Sequence, residues 1–118
     1  MKKIIVYGSL KKGKYNHRIL EDSKFLADTT VRGTLYSLGA YPALIDEGEN
    51  EYPAEIYEVD DEVYYSIARM EFWAGYIAVE FNVAKELGEG FSNPATIFYA
   101  GGGLKKRCKE SLTEIKSY

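Results

Sequence analysis

The apolar run Lys3-Ile4-Ile5-Val6-Tyr7, cut off by Gly8-Ser9, limits most strongly what this chain can become. Four consecutive apolar or aromatic residues without helical spacing read as a buried strand. The Gly-Ser step makes that strand turn sharply at its end. A chain that opens in this way needs a sheet to receive its first strand, and the rest of the sequence supplies the partners.

Asn16 to Asp22 reads as a short helix opened by Asn16 as N-cap. Phe25 to Leu38 reads as a strand bent or bulged at Gly33 and broken by Gly39-Ala40-Tyr41-Pro42. Ala43 to Ile45 and Ala54 to Val59 continue the strand pattern on either side of an acidic loop, Asp46 to Glu51, which reads as solvated and without function. Asp60 or Asp61 caps a helix running to about Trp73, with Val63, Ile67, Met70 and Ala74 at helical spacing. Tyr76 to Val83 and Ala95 to Tyr99 are strand-like and flank a Gly/Glu-rich loop around Gly88 and Gly90. Gly101-Gly102-Gly103 then sets off a basic C-terminal segment. Strands before, between and after two helices predict an α+β fold, a mixed β-sheet curled toward a small barrel with flanking helices. At 118 residues the chain has room for one core, so residues 1–118 are expected to form a single domain.

Composition removes several function classes. The net charge of −3 gives no general attraction for phosphate backbones, despite the basic tracts Lys11-Lys12-Gly13-Lys14 and Lys105-Lys106-Arg107, so no nucleic-acid partner is expected. No apolar run approaches the ~20 residues of a membrane helix, and the N-terminal run is too short for a secretion signal; a cytoplasmic protein with no membrane partner is expected. Cys108, the sole cysteine, has basic neighbours that would lower its pKa, but it forms no internal disulfide and is read as incidental. With His17 as the sole histidine, no metal or other cofactor is expected. Ser9 lacks the flanking glycines of a nucleophile elbow, and the glycines at 8 and 13 do not have phosphate-loop spacing. One carboxylate and one turn remain. Glu71, four residues after Ile67, lies at the edge of the apolar stripe of its helix, an unusual place for a carboxylate. Its alternative role is to pair with Arg69, Lys85 or another surface cation. Correspondingly, Gly8 serves as a plain turn glycine, Ser9 as a cap, and Asn16 as a helix start.

Residues 6 to 20, Val-Tyr-Gly-Ser-Leu-Lys-Lys-Gly-Lys-Tyr-Asn-His-Arg-Ile-Leu, resemble the opening of the γ-glutamylcyclotransferase superfamily, most closely its γ-glutamylamine branch. The resemblance continues in order through Val31-Arg32-Gly33-Thr34-Leu35-Tyr36, Tyr41-Pro42, Glu55-Ile56-Tyr57-Glu58-Val59, Met70-Glu71 and Tyr76. It implies that Glu71 is the catalytic residue and that Tyr7, Gly8, Ser9 and Leu10 hold the glutamyl group of a small-molecule γ-glutamyl substrate; Tyr76 is a candidate for the same pocket by its residue type alone, with strand packing as its alternative role. The implied reaction closes the glutamyl group on itself to give 5-oxoproline and a free amine. A single carboxylate then acts first as base and later as acid, and burial at the helix edge would raise its pKa toward neutrality. Tyr41 and Tyr99 are further candidates for the pocket wall. The chain departs from the family pattern at Ala68, where aspartate is common, at Phe72 and Ala54, where glycine is common, and at Ala78, where a basic residue is common. Two other roles stand beside the enzyme: a non-catalytic small-ligand-binding protein of the same fold, and a protein-interaction module using the tyrosine-rich surface and basic C-terminal segment. The leaving amine and the oligomeric state are not encoded in these patterns.

Overall fold

A computed structural model describes residues 1–88 and 94–118. The strands are β1 (Lys2–Val6), β2 (Lys24–Ser37), β3 (Pro42–Val59), β4 (Tyr76–Phe81), β5 (Ala95–Ala100) and β6 (Thr113–Ile115). The helices are α1 (Asp61–Trp73), α2 (Ala84–Leu87) and α3 (Gly102–Ser111), with a 3-10 turn at His17–Leu20. Gly90, in the loop anticipated between the last two long strands, lies outside the described residues.

The opening run explains the architecture. β1 sits inside a six-stranded sheet of order β4-β5-β1-β3-β2-β6, antiparallel to β3 and parallel to β5. Its residues alternate between two covered faces, which is why it carries no polar alternation. Ile4 and Val6 pack with Ile67 of α1 and Cys108 of α3, whereas Ile5 and Tyr7 pack with Val31, Leu44 and Ile97. The sheet is mixed, as expected, and does not close: β4 and β6 remain at its edges. No helix among the described residues is long and apolar enough to cross a membrane.

The long β2–β3 ladder carries the predicted bulge. Its register passes from Gly33↔Asn50 to Thr34↔Ile45, so residues 46–49 leave the ladder. Gly33 has φ +148°, and a Cβ there would lie 2.1 Å from the Ile45 carbonyl oxygen, so only glycine fits. The acidic stretch is therefore an excursion of one continuous strand rather than a loop between two. It also helps to hold the fold together. Lys105 meets Asp46 at 2.7 Å and Glu47 at 2.9 Å, and Lys109 meets Glu47 at 2.9 Å, which brackets α3 against β3.

Three other expectations are corrected. Asn16 makes no side-chain capping bond to the 3-10 turn that follows it; its amide is used elsewhere. The strand expected to reach Val83 ends at Phe81, and Val83 is buried at the start of α2. The three glycines do not separate the basic segment from the fold: Gly102 begins α3, and Leu104, Cys108 and Leu112, four residues apart, seat that segment on the core. Burial pushes the Cys108 thiol up despite the opposing charge of Arg107.

Candidate functional site

Where β1 leaves the sheet, the chain bends through Tyr7, Gly8, Ser9 and Leu10 and walls one side of a cavity of about 200 Å³. That is below the roughly 300–1,000 Å³ of drug-sized sites, so the space suits an amino-acid-sized group better than a nucleotide. Glu71 from the last turn of α1 and Tyr76 from the start of β4 face into the same space. All six residues singled out from the sequence thus line one cavity. Tyr41 lines it too, but Tyr99 does not: it lines a second cavity of about 210 Å³, and its hydroxyl donates to the Arg32 carbonyl at 3.2 Å.

The turn is held from several sides. Lys11 N–H donates to the Gly8 carbonyl at 3.0 Å and Asn16 N–H to the Ser9 carbonyl at 2.8 Å. The Asn16 side-chain amide donates to Ser9 Oγ at 3.0 Å, and His17 donates from Nδ1 to the Leu10 carbonyl at 2.9 Å. The sole histidine is thereby a brace. Gly8 owes its identity to packing, since an added Cβ would lie 2.8 Å from both Cδ and Cγ of Pro42. The carbonyls of Gly8, Ser9 and Leu10 are thus engaged, whereas the N–H groups of the same three residues find no acceptor among the described residues. Three consecutive free donors at the edge of a cavity form a binding place for an anion or an oxyanion.

Glu71 has the opposite character. Phe72 follows it, and α1 runs on to Trp73, with Ala74 as its C-cap, before Gly75, at φ +99°, closes the helix end with its N–H on the Phe72 carbonyl at 3.1 Å. The carboxylate is therefore on the inner side of an ordinary helical turn, near the negative end of the helix dipole. No described cation pairs with it, so the pairing with Arg69 or Lys85 considered above is not formed. Burial raises its pKa from 4.5 to about 7. Tyr7 and Tyr76 stand close enough for its charge to act on them; burial first, and that charge next or with the neighbouring phenol, push both hydroxyls far up. Each is also engaged: Tyr7 donates to the Phe98 carbonyl and accepts from Leu44 N–H at 3.4 Å, and Tyr76 donates to the Pro42 carbonyl at 2.7 Å. Both phenols remain protonated walls rather than bases.

Pro42, Met70, Ala74 and Phe98 also line the cavity and were not singled out as site residues from the sequence. Met70 and Ala74 carry a legible signal, since they are four residues apart on the apolar stripe at whose edge Glu71 lies. Pro42 and Phe98 reach the site only through the strand order and leave no local trace.

A family model described as γ-glutamyl cyclotransferase, AIG2-like, matches residues 4–117. The chain belongs to that family. Among its relatives is a Pyrococcus horikoshii protein named "putative gamma-glutamylcyclotransferase PH0828", 35% identical over 89 residues that span 75% of this chain and 74% of that protein. A Vibrio cholerae protein with the same designation is 42% identical over 60 residues, 49% of this chain and 51% of its own length. The crystal structure of the P. horikoshii protein superposes with a TM-score of 0.69 at 29% identity, covering 86% of this chain and 80% of that one. A mouse AIG2-like protein has the same fold, with a TM-score of 0.66 at 23% identity, 100% coverage of this chain and 88% of its own. The family relation extends over the whole sheet, including the C-terminal helix that reads as detached in the sequence.

Proposed function

We propose that this chain is a γ-glutamylamine cyclotransferase-like enzyme that converts a γ-glutamyl compound to 5-oxoproline and a free amine, with Glu71 as general base and acid. The observation that carries this reading is the pairing, in one amino-acid-sized cavity, of an unpaired carboxyl raised to about 7 with three free backbone donors. The donors of Gly8, Ser9 and Leu10 suit the substrate's α-carboxylate or the oxyanion that forms at its γ-carbon. Glu71 takes a proton from the α-ammonium group, the freed amine attacks the γ-carbon, and a five-membered ring closes. The attacking nitrogen gives up a second proton as the ring settles into its amide form. Two protons reach the departing nitrogen as its bond to carbon breaks, so none is gained or lost overall. A carboxyl with a pKa near the working pH accepts and returns protons with similar ease. Nucleophile and electrophile belong to one molecule, so holding the bent conformer supplies much of the acceleration. Tyr7, Leu10 and Tyr76 shape the walls, and Gly8 lets the turn approach Pro42 closely. A cytoplasmic, single-domain enzyme remains the setting that this reading expects.

The test is release of 5-oxoproline by the native protein from a panel of γ-glutamylamines and γ-glutamyl amino acids. Release from any of them supports the reading. Binding of the panel without release from any member would favour a ligand-binding protein of the same fold.

A further inference from the structure

The bonds that pin the turn's carbonyls all lie inside residues 8–17: Lys11 holds Gly8, Asn16 holds Ser9 and His17 holds Leu10. They shape the segment without fixing it to the sheet. Among the described residues, one backbone group of the segment hydrogen-bonds to the sheet: Lys12 N–H donates to Glu55 Oε1 at 2.9 Å. The bond from Lys11 to Tyr118 runs through a long, flexible side chain.

Glu55 is well placed for this bond. It stands on β3 opposite Val6, the last residue of β1, where the chain leaves the sheet. Tyr57, two residues on and on the same face, donates its hydroxyl to the same Glu55 oxygen at 3.0 Å. The Tyr57 ring is buried, with the rings of His17 at 5.8 Å and Phe25 at 5.6 Å between centroids. Glu55 is therefore seated by a fixed neighbour, and its other partner is the turn. Both residues belong to the Glu55-Ile56-Tyr57 stretch of the family resemblance, yet neither lines the cavity.

Three amide dipoles stabilise an anion only while they converge on it. A segment pinned only from within can rock about the end of β1, and a small misalignment of this kind is costly to rate. We infer that Glu55 is a positioning residue: by accepting the Lys12 N–H at the end of β1, it keeps the N–H groups of Gly8, Ser9 and Leu10 aimed into the cavity. This rests on the cyclotransferase reading and adds to it a residue that touches no substrate.

The test compares the native protein with Glu55→Ala, which removes the acceptor, and Glu55→Gln, which keeps an acceptor oxygen without the charge. 5-Oxoproline release from γ-glutamyl butylamide gives kcat and KM, calorimetry on the same variants in a Glu71→Gln background gives affinity, and denaturant melts give the folded fraction. The expected result is a fall in kcat/KM of about 10- to 100-fold in Glu55→Ala at full folded fraction, with Glu55→Gln within about threefold of native. A fall carried by affinity assigns the donors to the substrate's α-carboxylate, and one carried by kcat assigns them to the oxyanion; both support the positioning. Glu55→Ala within about threefold of native, Glu55→Gln as poor as Glu55→Ala, or a loss that merely follows the folded fraction overturns it and leaves the cyclotransferase reading standing. If the native protein binds the butylamide but releases no 5-oxoproline, the cyclisation falls and affinity decides: a tenfold loss in Glu55→Ala restored by Glu55→Gln supports the positioning, and unchanged affinity overturns it. Neither turnover nor binding overturns both.

Discussion

At Glu71, one carboxyl group links burial, stability and rate. The folded protein favours its neutral form, so the charge that appears as pH rises through about 7 opposes folding. The sign follows from the raised pKa: below the unfolded value of 4.5 the group costs nothing, and the full cost is present above about 7. Glu71→Gln should therefore match the native protein in stability near pH 4 and exceed it by about 1–3 kcal/mol at pH 8, the upper end being the full shift at about 1.36 kcal/mol per pH unit. Denaturant melts of both proteins at the two pH values measure this difference. Activity runs the other way, since the base has to be ionised: kcat/KM should fall about tenfold per pH unit below about 7. At Gly8 the prediction is steric. Gly8→Ala drives a methyl group into the Pro42 ring, which cannot swing aside as a long side chain would, at a cost of about 1–3 kcal/mol in denaturant melts. Glu71 is conspicuous in the sequence because a carboxylate stands on an apolar helix edge, and the family resemblance supplies its role. Asn16 misleads because an Asn before a helical pattern resembles a cap; only the folded turn shows its amide on Ser9.

Among the elements, α1 positions the carboxylate and is the most legible, because its apolar spacing and its cap agree. Asp60 Oδ1 accepts the Val63 N–H at 2.8 Å, and Asp60→Ala should cost about 1 kcal/mol of stability, read from the shift in a urea melt. The cap sits about three turns from Glu71, so kcat should stay within about twofold of the native value at a temperature where both proteins are folded. α3 is hidden for an opposite reason. A Gly-Gly-Gly start is poor helix sequence, and the packing that overrides it is tertiary: Gly101 must be small because an added Cβ would lie 2.7 Å from the Gly75 carbonyl oxygen. The Leu104-Cys108-Leu112 spacing is present in the sequence but is masked by the basic residues between. Similarly, β6 is three residues long, too short for any periodicity to show.

For the whole molecule, the fold brings together segments that the sequence spreads from residue 5 to residue 98. β1 supplies the turn, β3 contributes Pro42, β5 adds Phe98, and α1 ends against β4 so that Glu71 and Tyr76 face the same space. Bonds from the chain's last residue tie neighbouring segments further, with Lys11 Nζ donating to the Tyr118 carbonyl at 3.0 Å and the Tyr118 hydroxyl donating to the Ala40 carbonyl. The fold class is readable because strand patterns and turn residues recur through the chain. Strand order is not, since the β1–β5 pairing joins segments about ninety residues apart and nothing local encodes it. The central claim, that this assembled cavity cyclises a γ-glutamyl group through Glu71, is tested most directly by comparing 5-oxoproline release from γ-glutamyl butylamide by the native protein and by Glu71→Gln at pH 8, with both shown to be folded. A loss of about 10²- to 10⁴-fold in kcat, with the substrate still bound, is the predicted result. Release by the variant within about threefold of the native rate would contradict it.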